Sequence, residues 1–189
     1  LIAVGGADAD DSSLTSVECL RDSSSSWAAL PDMSKPRNCF ACCVLGDTLH
    51  VAGGRGVSAH ERFDVHTSRW IACAALQKGC AKANIAGVAL NGGFVVCGGH
   101  CAGALANGTR AYDRRSDSWH SLAAMKAKRR THACVVFDNR LFALGGRQSA
   151  TDLDYTDTVE VYDAAADRWS AAWFSLPEQL AWPYAAIVE

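Results

Sequence analysis

The chain has 189 residues, of which 49% are hydrophobic and 20% are charged, and its formal net charge is -2 at pH 7. This composition is typical of an ordered soluble domain and argues against disorder. A net charge near zero gives no global attraction for nucleic acid or for an anionic membrane surface, and the longest apolar runs are far too short to span a bilayer. We therefore expect neither nucleic acid nor a membrane among the partners.

The cysteine count is high, at nine, but the number is odd. Several cysteines, including Cys42, Cys43, Cys97 and Cys134, lie in apolar strand-like runs where a thiol acts as a small hydrophobic group. We therefore predict reduced thiols rather than a disulfide framework. A reduced setting favours a cytoplasmic location.

A pair of adjacent glycines occurs four times, and each pair closes an apolar run. The second glycines, Gly6, Gly54, Gly99 and Gly146, lie 48, 45 and 47 residues apart. This period is typical of repeat architectures. A tryptophan follows each pair, and these tryptophans are Trp27, Trp70, Trp119 and Trp169.

Each repeat contains four short segments in the same order, which we call strands a, b, c and d. In the second repeat, residues 40–45 form strand a, Gly46-Asp47 form a two-residue turn and residues 48–52 form strand b. Asn91-Gly92 and Asp138-Asn139 supply the corresponding tight turns in the third and fourth repeats. Four short antiparallel strands in each unit predict the blade of a β-propeller, because one blade cannot bury both of its faces alone.

In three repeats an aromatic residue and an aspartate precede the tryptophan at a fixed interval. The pairs are Phe63-Asp64, Tyr112-Asp113 and Tyr162-Asp163, and each aspartate lies 6 residues before its tryptophan. Together with the glycine pairs and residues 33–37 and 159–163, this pattern resembles kelch repeats over the whole chain. The first repeat departs from the pattern, with Leu20-Arg21 in place of the aromatic residue and the aspartate.

The resemblance implies an all-β, kelch-type β-propeller of four-stranded antiparallel blades, in which the glycine pairs, the tryptophans and the tyrosines build the scaffold. We expect a single propeller domain over residues 1–189. Its repeat units are approximately residues 1–30 together with 176–189, 31–75, 76–123 and 124–175. Residues 184–188 align with strand a, so both ends of the chain would complete one blade.

Four repeats fit either a closed four-bladed ring or part of a larger propeller. The kelch domains of BTB-kelch proteins, which the chain resembles, usually have six blades. We therefore favour the larger propeller.

Because successive antiparallel strands run in opposite directions, the loops between strands b and c and the loops between strands d and a lie on the same face. The b–c loops vary in length and content, as binding loops on a rigid scaffold do. The d–a loops are basic, and Arg37, Lys82 and Arg129 occupy one equivalent position in successive repeats. We therefore expect these three side chains to project from successive blades toward a shared cavity. In BTB-kelch ubiquitin-ligase adaptors, arginines at this position help to bind acidic peptides, and the resemblance implies this role for Arg37 and Arg129, with Lys82 a weaker partner.

The predicted partner-binding residues are therefore these three and four b–c loop residues: Arg37, Lys82, Arg129, Arg55, His100, Arg147 and Tyr155. Because Lys and Arg are common in exposed loops, a solvated basic rim is an equally good interpretation.

Two cysteine-containing segments are candidate chemical sites. Cys97 and Cys101 have a spacing that fits neither a redox motif nor a zinc motif, although His100 and Cys101 could form a reactive thiol beside a base. His132 and Cys134 place two ligand types on one strand face, but two ligands do not make a metal site. We therefore predict no metal and no cofactor.

The sequence favours a non-catalytic protein-interaction module that recognises substrates for a cullin-type ubiquitin ligase and binds an acidic peptide on the face with the b–c and d–a loops. Domains absent from this chain would make the cullin or cytoskeletal contacts. The alternatives are an enzyme that acts on a sugar-like small molecule in the propeller channel and a scaffold for actin or the cytoskeleton.

Overall fold

The computed structural model of the chain describes residues 1–21, 24–77, 83–101, 103–149, 154–180, 183 and 185. Every regular element in these ranges is a β-strand. No helix in this part of the chain is long and apolar enough to cross a membrane. The strands form one three-stranded sheet, three four-stranded sheets and a small two-stranded ribbon. The larger sheets are the propeller blades that the repeats predict.

The first blade has three described strands in the order of the chain. They are β1 (Ile2–Val4), β2 (Val17–Cys19) and β3 (Ala28–Leu30). Residues 184–188, which we expect to add a fourth strand to this blade, lie almost wholly outside the described residues. Closure of the ring through this strand therefore stays a prediction.

The second blade is an antiparallel meander with all four strands in sequence order. Its strands are β4 (Ala41–Leu45), β5 (Thr48–Ala52), β6 (His60–Asp64) and β7 (Arg69–Cys73). Strand β5 is buried along its whole length, as expected for a strand between two others with a blade on each face.

The third and fourth blades repeat this arrangement. In the third blade, a short ribbon of β10 (His100–Cys101) and β11 (Ala104–Leu105) is inserted into the loop between strands b and c. The strands of the third blade and its ribbon are β8 (Ala86–Leu90), β9 (Gly93–Cys97), β10 (His100–Cys101), β11 (Ala104–Leu105), β12 (Thr109–Asp113) and β13 (Ser118–Leu122). Those of the fourth are β14 (Ala133–Phe137), β15 (Arg140–Leu144), β16 (Val159–Asp163) and β17 (Arg168–Ala171).

The predicted tight turns between strands a and b are confirmed by the strand register. Leu90 pairs with Gly93, and Phe137 pairs with Arg140, so two residues connect each pair of strands. Asn91 and Gly92 have φ values of 51° and 73°, and Asp138 and Asn139 have values of 48° and 54°. Two consecutive positive φ angles are the geometry of the turn that suits the twist of a hairpin.

Hydrophobic clusters fill the junctions between successive blades. Val51 and Phe63 pack with Met33 between the first two blades, and Phe94 and Trp119 pack with Ala41 between the second and third. The third and fourth blades share a cluster that contains Cys97, Met125 and Trp169. Apolar burial between sheets therefore supplies the contact that one blade lacks.

Each of three tryptophans reaches back to the preceding blade. Its indole N–H donates to a carbonyl in the loop that follows strand d of that blade, which satisfies the polar atom of a half-buried or buried ring. The bonds run from Trp70 to Pro31 at 2.8 Å, from Trp119 to Ala74 at 2.7 Å and from Trp169 to Ala123 at 3.0 Å.

Trp27 departs from the scaffold role that the repeat implies, since it is 46% exposed. The first blade has no preceding blade among the described residues for Trp27 to pack against. At the other end of the described fold, Trp173 occupies the position of Ala74 and Ala123, and it is 94% exposed. The outer sides of the first and fourth blades thus show aromatic surface where the internal junctions bury it.

A buried histidine pair lies at the junction of the second and third blades. His50 Nδ1 lies 3.0 Å from His60 Nε2, and His60 stacks edge-on against Tyr112 with ring centroids 4.3 Å apart. Burial lowers the pKa of His50 to about 4 and the pKa of His60 to about 3, and nearby positive charge adds to the effect. Both rings are therefore neutral near pH 7.

We predict that acid destabilises the fold through this pair. Below the usual histidine pKa of about 6.5, the unfolded chain binds protons that the folded chain does not, so the free energy of unfolding falls by about 1–3 kcal/mol per pH unit between about pH 6 and pH 4. Urea unfolding measured across this range tests the prediction.

The matched control replaces each histidine with the residue at its position in the third blade, giving His50→Val and His60→Thr. This double variant should lose most of the pH dependence. An unchanged slope in the double variant would show that other groups cause the acid sensitivity.

Candidate partner-binding face

In the second, third and fourth blades, the d–a loop and the b–c loop are joined by backbone hydrogen bonds at one end of the sheets. His100 N donates to Ala83 O at 2.9 Å, and Arg147 N donates to Arg130 O at 2.9 Å. In the second blade Arg55 N donates to Asn38 O at 3.1 Å. These bonds confirm that both sets of loops share one end of the blades, which we call the loop face.

Three of the predicted partner-binding residues occupy the first position after a glycine pair and lie on the loop face. The side chain of Arg55 is 60% exposed and forms an ion pair with Asp11 of the first blade. His100 is half-buried, and its Nδ1 lies 3.3 Å from the amide nitrogen of Asn84. Arg147 is also half-buried. The repeat thus places polar side chains at the same point of successive blades.

Arg147 and Tyr155 are in direct contact. The guanidinium carbon lies 4.9 Å from the centroid of the tyrosine ring, and Arg147 donates a hydrogen bond of 3.0 Å to the tyrosine hydroxyl. The backbones of the same two residues also pair as an antiparallel β-bridge. Stacking and hydrogen bonding together limit the orientations of the guanidinium.

The structure corrects the expected positions of Arg37 and Arg129. Their side chains do not project toward a shared cavity, because Arg37 is 0% and Arg129 is 1% exposed. Arg37 pairs with Glu61 at 2.9 Å, and Arg129 pairs with Glu160 at 3.2 Å. Neither side chain is presented to a ligand on the loop face.

The donors of both arginines are used within their own blades. Arg37 Nη1 donates to the carbonyl oxygens of Gly53 and Ala59 at 2.6 and 2.8 Å. Arg129 Nη1 donates in the same way to Gly145 and Thr158 at 3.0 and 2.9 Å. These arginines hold the end of strand b against the start of strand c. Lys82, the third residue at this position, lies outside the described residues.

Three loop-face residues escaped the sequence analysis. Cys39, Asn84 and Thr131 occupy one equivalent position, two residues after Arg37, Lys82 and Arg129, and have φ values of 56°, 52° and 55°. Asn84 N donates to Cys39 O at 2.8 Å, and Thr131 N donates to Asn84 O at 3.2 Å. These bonds link the segments that lead into strand a of three successive blades. The alignment of the repeats could have found the position, but dissimilar side chains hide it.

The charge of the loop face is divided between its loops. The lysines of the d–a loops, Lys35, Lys126 and Lys128, are exposed. Asp8, Asp10 and Asp11 in the first b–c loop are also exposed, and Asp8 accepts backbone hydrogen bonds within its own turn. The d–a loops therefore present positive charge, and the first b–c loop presents negative charge.

The described residues show no convergence of acids and histidines on the loop face that would suit an enzyme. The buried carboxylates Glu61 and Glu160 are paired with arginines, and His50 and His60 lie in a blade junction. A cavity of about 770 Å³ opens at the opposite end of the blades, among the turns of the third blade. A cluster of two cysteines and one histidine lies between the third and fourth blades.

Comparison of the sequence with known proteins finds similarity to kelch repeats. A family model described as "Kelch motif" matches residues 128–172. Kelch-like protein 35 of Mus musculus is 26% identical over 174 residues, which cover 90% of this chain and 29% of that protein. Kelch-like protein 38 of Rattus norvegicus is 24% identical over 180 residues, with 90% and 30% covered. Kelch-like protein 26 of Danio rerio is 25% identical over 181 residues, with 89% and 29% covered.

A solved structure supports the same fold. The structure described as "Structure of YjhT" superposes with a TM-score of 0.71 and covers 80% of this chain and 56% of that chain. Its sequence is 17% identical, so the likeness concerns the fold alone. The chain spans less than a third of the length of the three Kelch-like relatives. The glycine pairs, the antiparallel blades and these likenesses together show a β-propeller fold whose repeats resemble the kelch repeats of the Kelch-like proteins.

Proposed function

We propose that the chain is a non-catalytic protein-interaction domain that binds an acidic peptide on its loop face. The observation that carries the proposal is the repeated position after the glycine pairs, where Arg55, His100 and Arg147 lie in successive blades. Likeness to Kelch-like proteins over most of the chain supports an interaction role. Variable polar loops on a scaffold of blades are where binding residues commonly lie.

The corner formed by Arg147 and Tyr155 is the proposed anchor. A guanidinium can bind both oxygens of a carboxylate, and the tyrosine ring offers apolar area beside it. The contact between the two side chains exists before a ligand arrives, which lowers the entropy lost on binding. Exposed Lys126 and Lys128 on the neighbouring d–a loop add positive charge that attracts acidic groups.

Within this proposal Arg37 and Arg129 act as scaffold. They fix the d–a loops from which the lysines extend and hold the backbone that leads into Arg55 and Arg147. Lys82 shares the repeat position of these arginines but lies outside the described residues, so its role as a contact stays a prediction. The partner-binding surface is therefore built on the first position after each glycine pair rather than on the buried arginines.

We further propose that the domain selects substrates for a cullin-type ubiquitin ligase in the cytoplasm. The support is the likeness to Kelch-like proteins, which are more than three times as long as the matched region. Another part of the protein would contact the cullin. A role as an actin scaffold uses the same fold and is the outcome to be distinguished by experiment.

The first test reverses charge on the loop face. Arg55→Glu and Arg147→Glu should each weaken binding of short Asp- and Glu-rich peptides by about 5- to 10-fold, because each removes a cation and adds a repulsive carboxylate. Fluorescence anisotropy with labelled peptides of either charge measures the affinity. Binding should also weaken with added salt.

The matched control makes the same change at the opposite end of the blades, where Arg114 and Arg115 are exposed in a turn. Arg114→Glu and Arg115→Glu should leave peptide affinity unchanged. Equal losses in both pairs would indicate a nonspecific effect of net charge. Unchanged affinity in the Arg55 and Arg147 variants would contradict the proposed surface.

The second test concerns the assembly. The full-length protein should co-purify with a cullin scaffold, and Arg147→Glu should preserve that association while losing the acidic peptide, because the two contacts lie on different parts of the protein. Co-sedimentation with actin filaments in place of cullin association would support the scaffold role instead.

A further inference from the structure

We propose that Cys97, His132 and Cys134 form a zinc site that joins the third and fourth blades. Cys97 Sγ lies 3.3 Å from Cys134 Sγ and 3.5 Å from His132 Nε2. All three ligand atoms lie within 4.8 Å of one another. Two thiols and an imidazole at these separations face a common point.

The fold brings the three residues together from two blades. Cys97 is the last residue of β9, and His132 and Cys134 flank Ala133, the first residue of β14. Residues separated by two along an extended chain point to the same side, so His132 and Cys134 both face the third blade. Neither segment alone holds more than two of the ligands.

The other blade junctions show that the kelch scaffold does not require these residues. Strand register makes Ala41, Ala86 and Ala133 equivalent, because they pair with Ala52, Cys97 and Leu144. The three positions of the cluster are therefore occupied by Ala52, Ile85 and Gly87 at the junction of the second and third blades. At the junction of the first and second blades they are occupied by Val4, Phe40 and Cys42.

The imidazole fits because a glycine faces it. A Cβ atom on Gly98 would lie 2.5 Å from His132 Cε1, so any larger residue would displace the ring. His132 is 6% exposed, and its Nδ1 has no hydrogen-bond partner among the described residues. Nε2, which faces Cys97, is thus the nitrogen with a polar neighbour.

The spacing suits a tetrahedral d10 cation. With Zn–S distances of about 2.3 Å and Zn–N distances of about 2.0 Å, tetrahedral ligands lie about 3.8 Å apart for two sulfurs and about 3.5 Å apart for sulfur and nitrogen. The sulfur atoms need to separate by about half an ångström, and the Cys97–His132 distance already matches. Thiolate and imidazole ligands exclude Ca²⁺ and Mg²⁺, which require oxygen.

Charge favours Zn²⁺ over a monovalent ion. Two thiolates and a neutral imidazole around Zn²⁺ have zero net charge, which limits the cost of burying ions at a site where Cys97 is 2% exposed. Binding releases the two thiol protons to solvent and requires no oxidant or reductant.

The site has three protein ligands and one open position. Water or a group brought by a partner would complete the tetrahedron. Since Cys97 directly precedes the glycine pair that leads into His100, a bound metal would fix the end of strand b close to the loop face. The two blades would also be linked by coordination bonds in addition to apolar packing.

The test measures zinc in the purified, reduced protein by mass spectrometry and follows Co²⁺ titration by absorption. We expect one metal ion per chain and a thiolate-to-cobalt charge-transfer band. Cys97→Ala and His132→Ile should each lower zinc affinity by at least about 100-fold, because each removes a ligand. The chain itself uses Ala52 and Ile85 at these positions, so both variants should fold.

Cys42→Ser is the matched control, since Cys42 is an exposed cysteine at the position equivalent to Cys134. It should leave zinc affinity and the cobalt spectrum unchanged. Zinc should also raise the melting temperature of the original protein and of the Cys42 variant, but not that of the two ligand variants.

Absence of zinc binding and of the cobalt band in the folded, reduced protein would overturn the proposal. Equal zinc affinity in the Cys97 and His132 variants would overturn it as well. If the metal-free protein instead forms a Cys97–Cys134 disulfide with oxidised glutathione and shows no zinc affinity, the cluster is a redox pair and not a metal site.

Discussion

The buried pairing of arginine with glutamate holds the loop face in its observed geometry. In the fourth blade, Glu160 receives hydrogen bonds from the backbone N–H groups of Lys126 and Ala127 in the d–a loop, at 2.6 and 3.0 Å. Arg129 in turn donates to the carbonyl of Gly145 at the end of strand b. The Arg129–Glu160 ion pair therefore joins the d–a loop to the end of strand b, which leads to the binding position after the glycine pair. Because both charges are buried, removal of one partner leaves the other uncompensated.

The third blade contains neither member of the pair. Arg110 stands there at the position of Glu61 and Glu160, and Lys82 stands at the position of Arg37 and Arg129. With the glutamate absent, Arg110 is half-buried and donates instead to Ser121 at 3.1 Å and to Gln77 at 3.4 Å. The joint replacement of both members agrees with a structural role for the pair in the second and fourth blades.

The sequence predicts those parts of the fold that depend on local chemistry. The turn at Asn91-Gly92 follows from the residue types that accept positive φ, and the blades follow from the spacing of the glycine pairs. The positions of the buried arginines depend on partners 24 and 31 residues away, so basic composition alone suggested an exposed rim. Glu61 and Glu160, each two residues before an aromatic side chain, were the available indication that those arginines are neutralised inside the blade.

The cysteine and histidine cluster illustrates a second limit. His132 and Cys134 are recognisable as two ligands on one strand face, but the third ligand comes from strand b of the preceding blade. Spacing along the chain does not reveal that contact, because it depends on how β9 and β14 meet across the junction. Alignment of the repeats gives the equivalent positions, and the packing of the blades shows which of them converge.

A double-mutant cycle on Arg129 and Glu160 tests most directly whether Arg129 stabilises the blade rather than contacting a ligand. Arg129→Met and Glu160→Gln should each lower the free energy of unfolding by about 3–5 kcal/mol, and the double variant should lose less than the sum, with a coupling of about 1–3 kcal/mol. Unchanged stability in the Arg129→Met protein, together with loss of acidic-peptide binding, would contradict the account and return Arg129 to the binding surface.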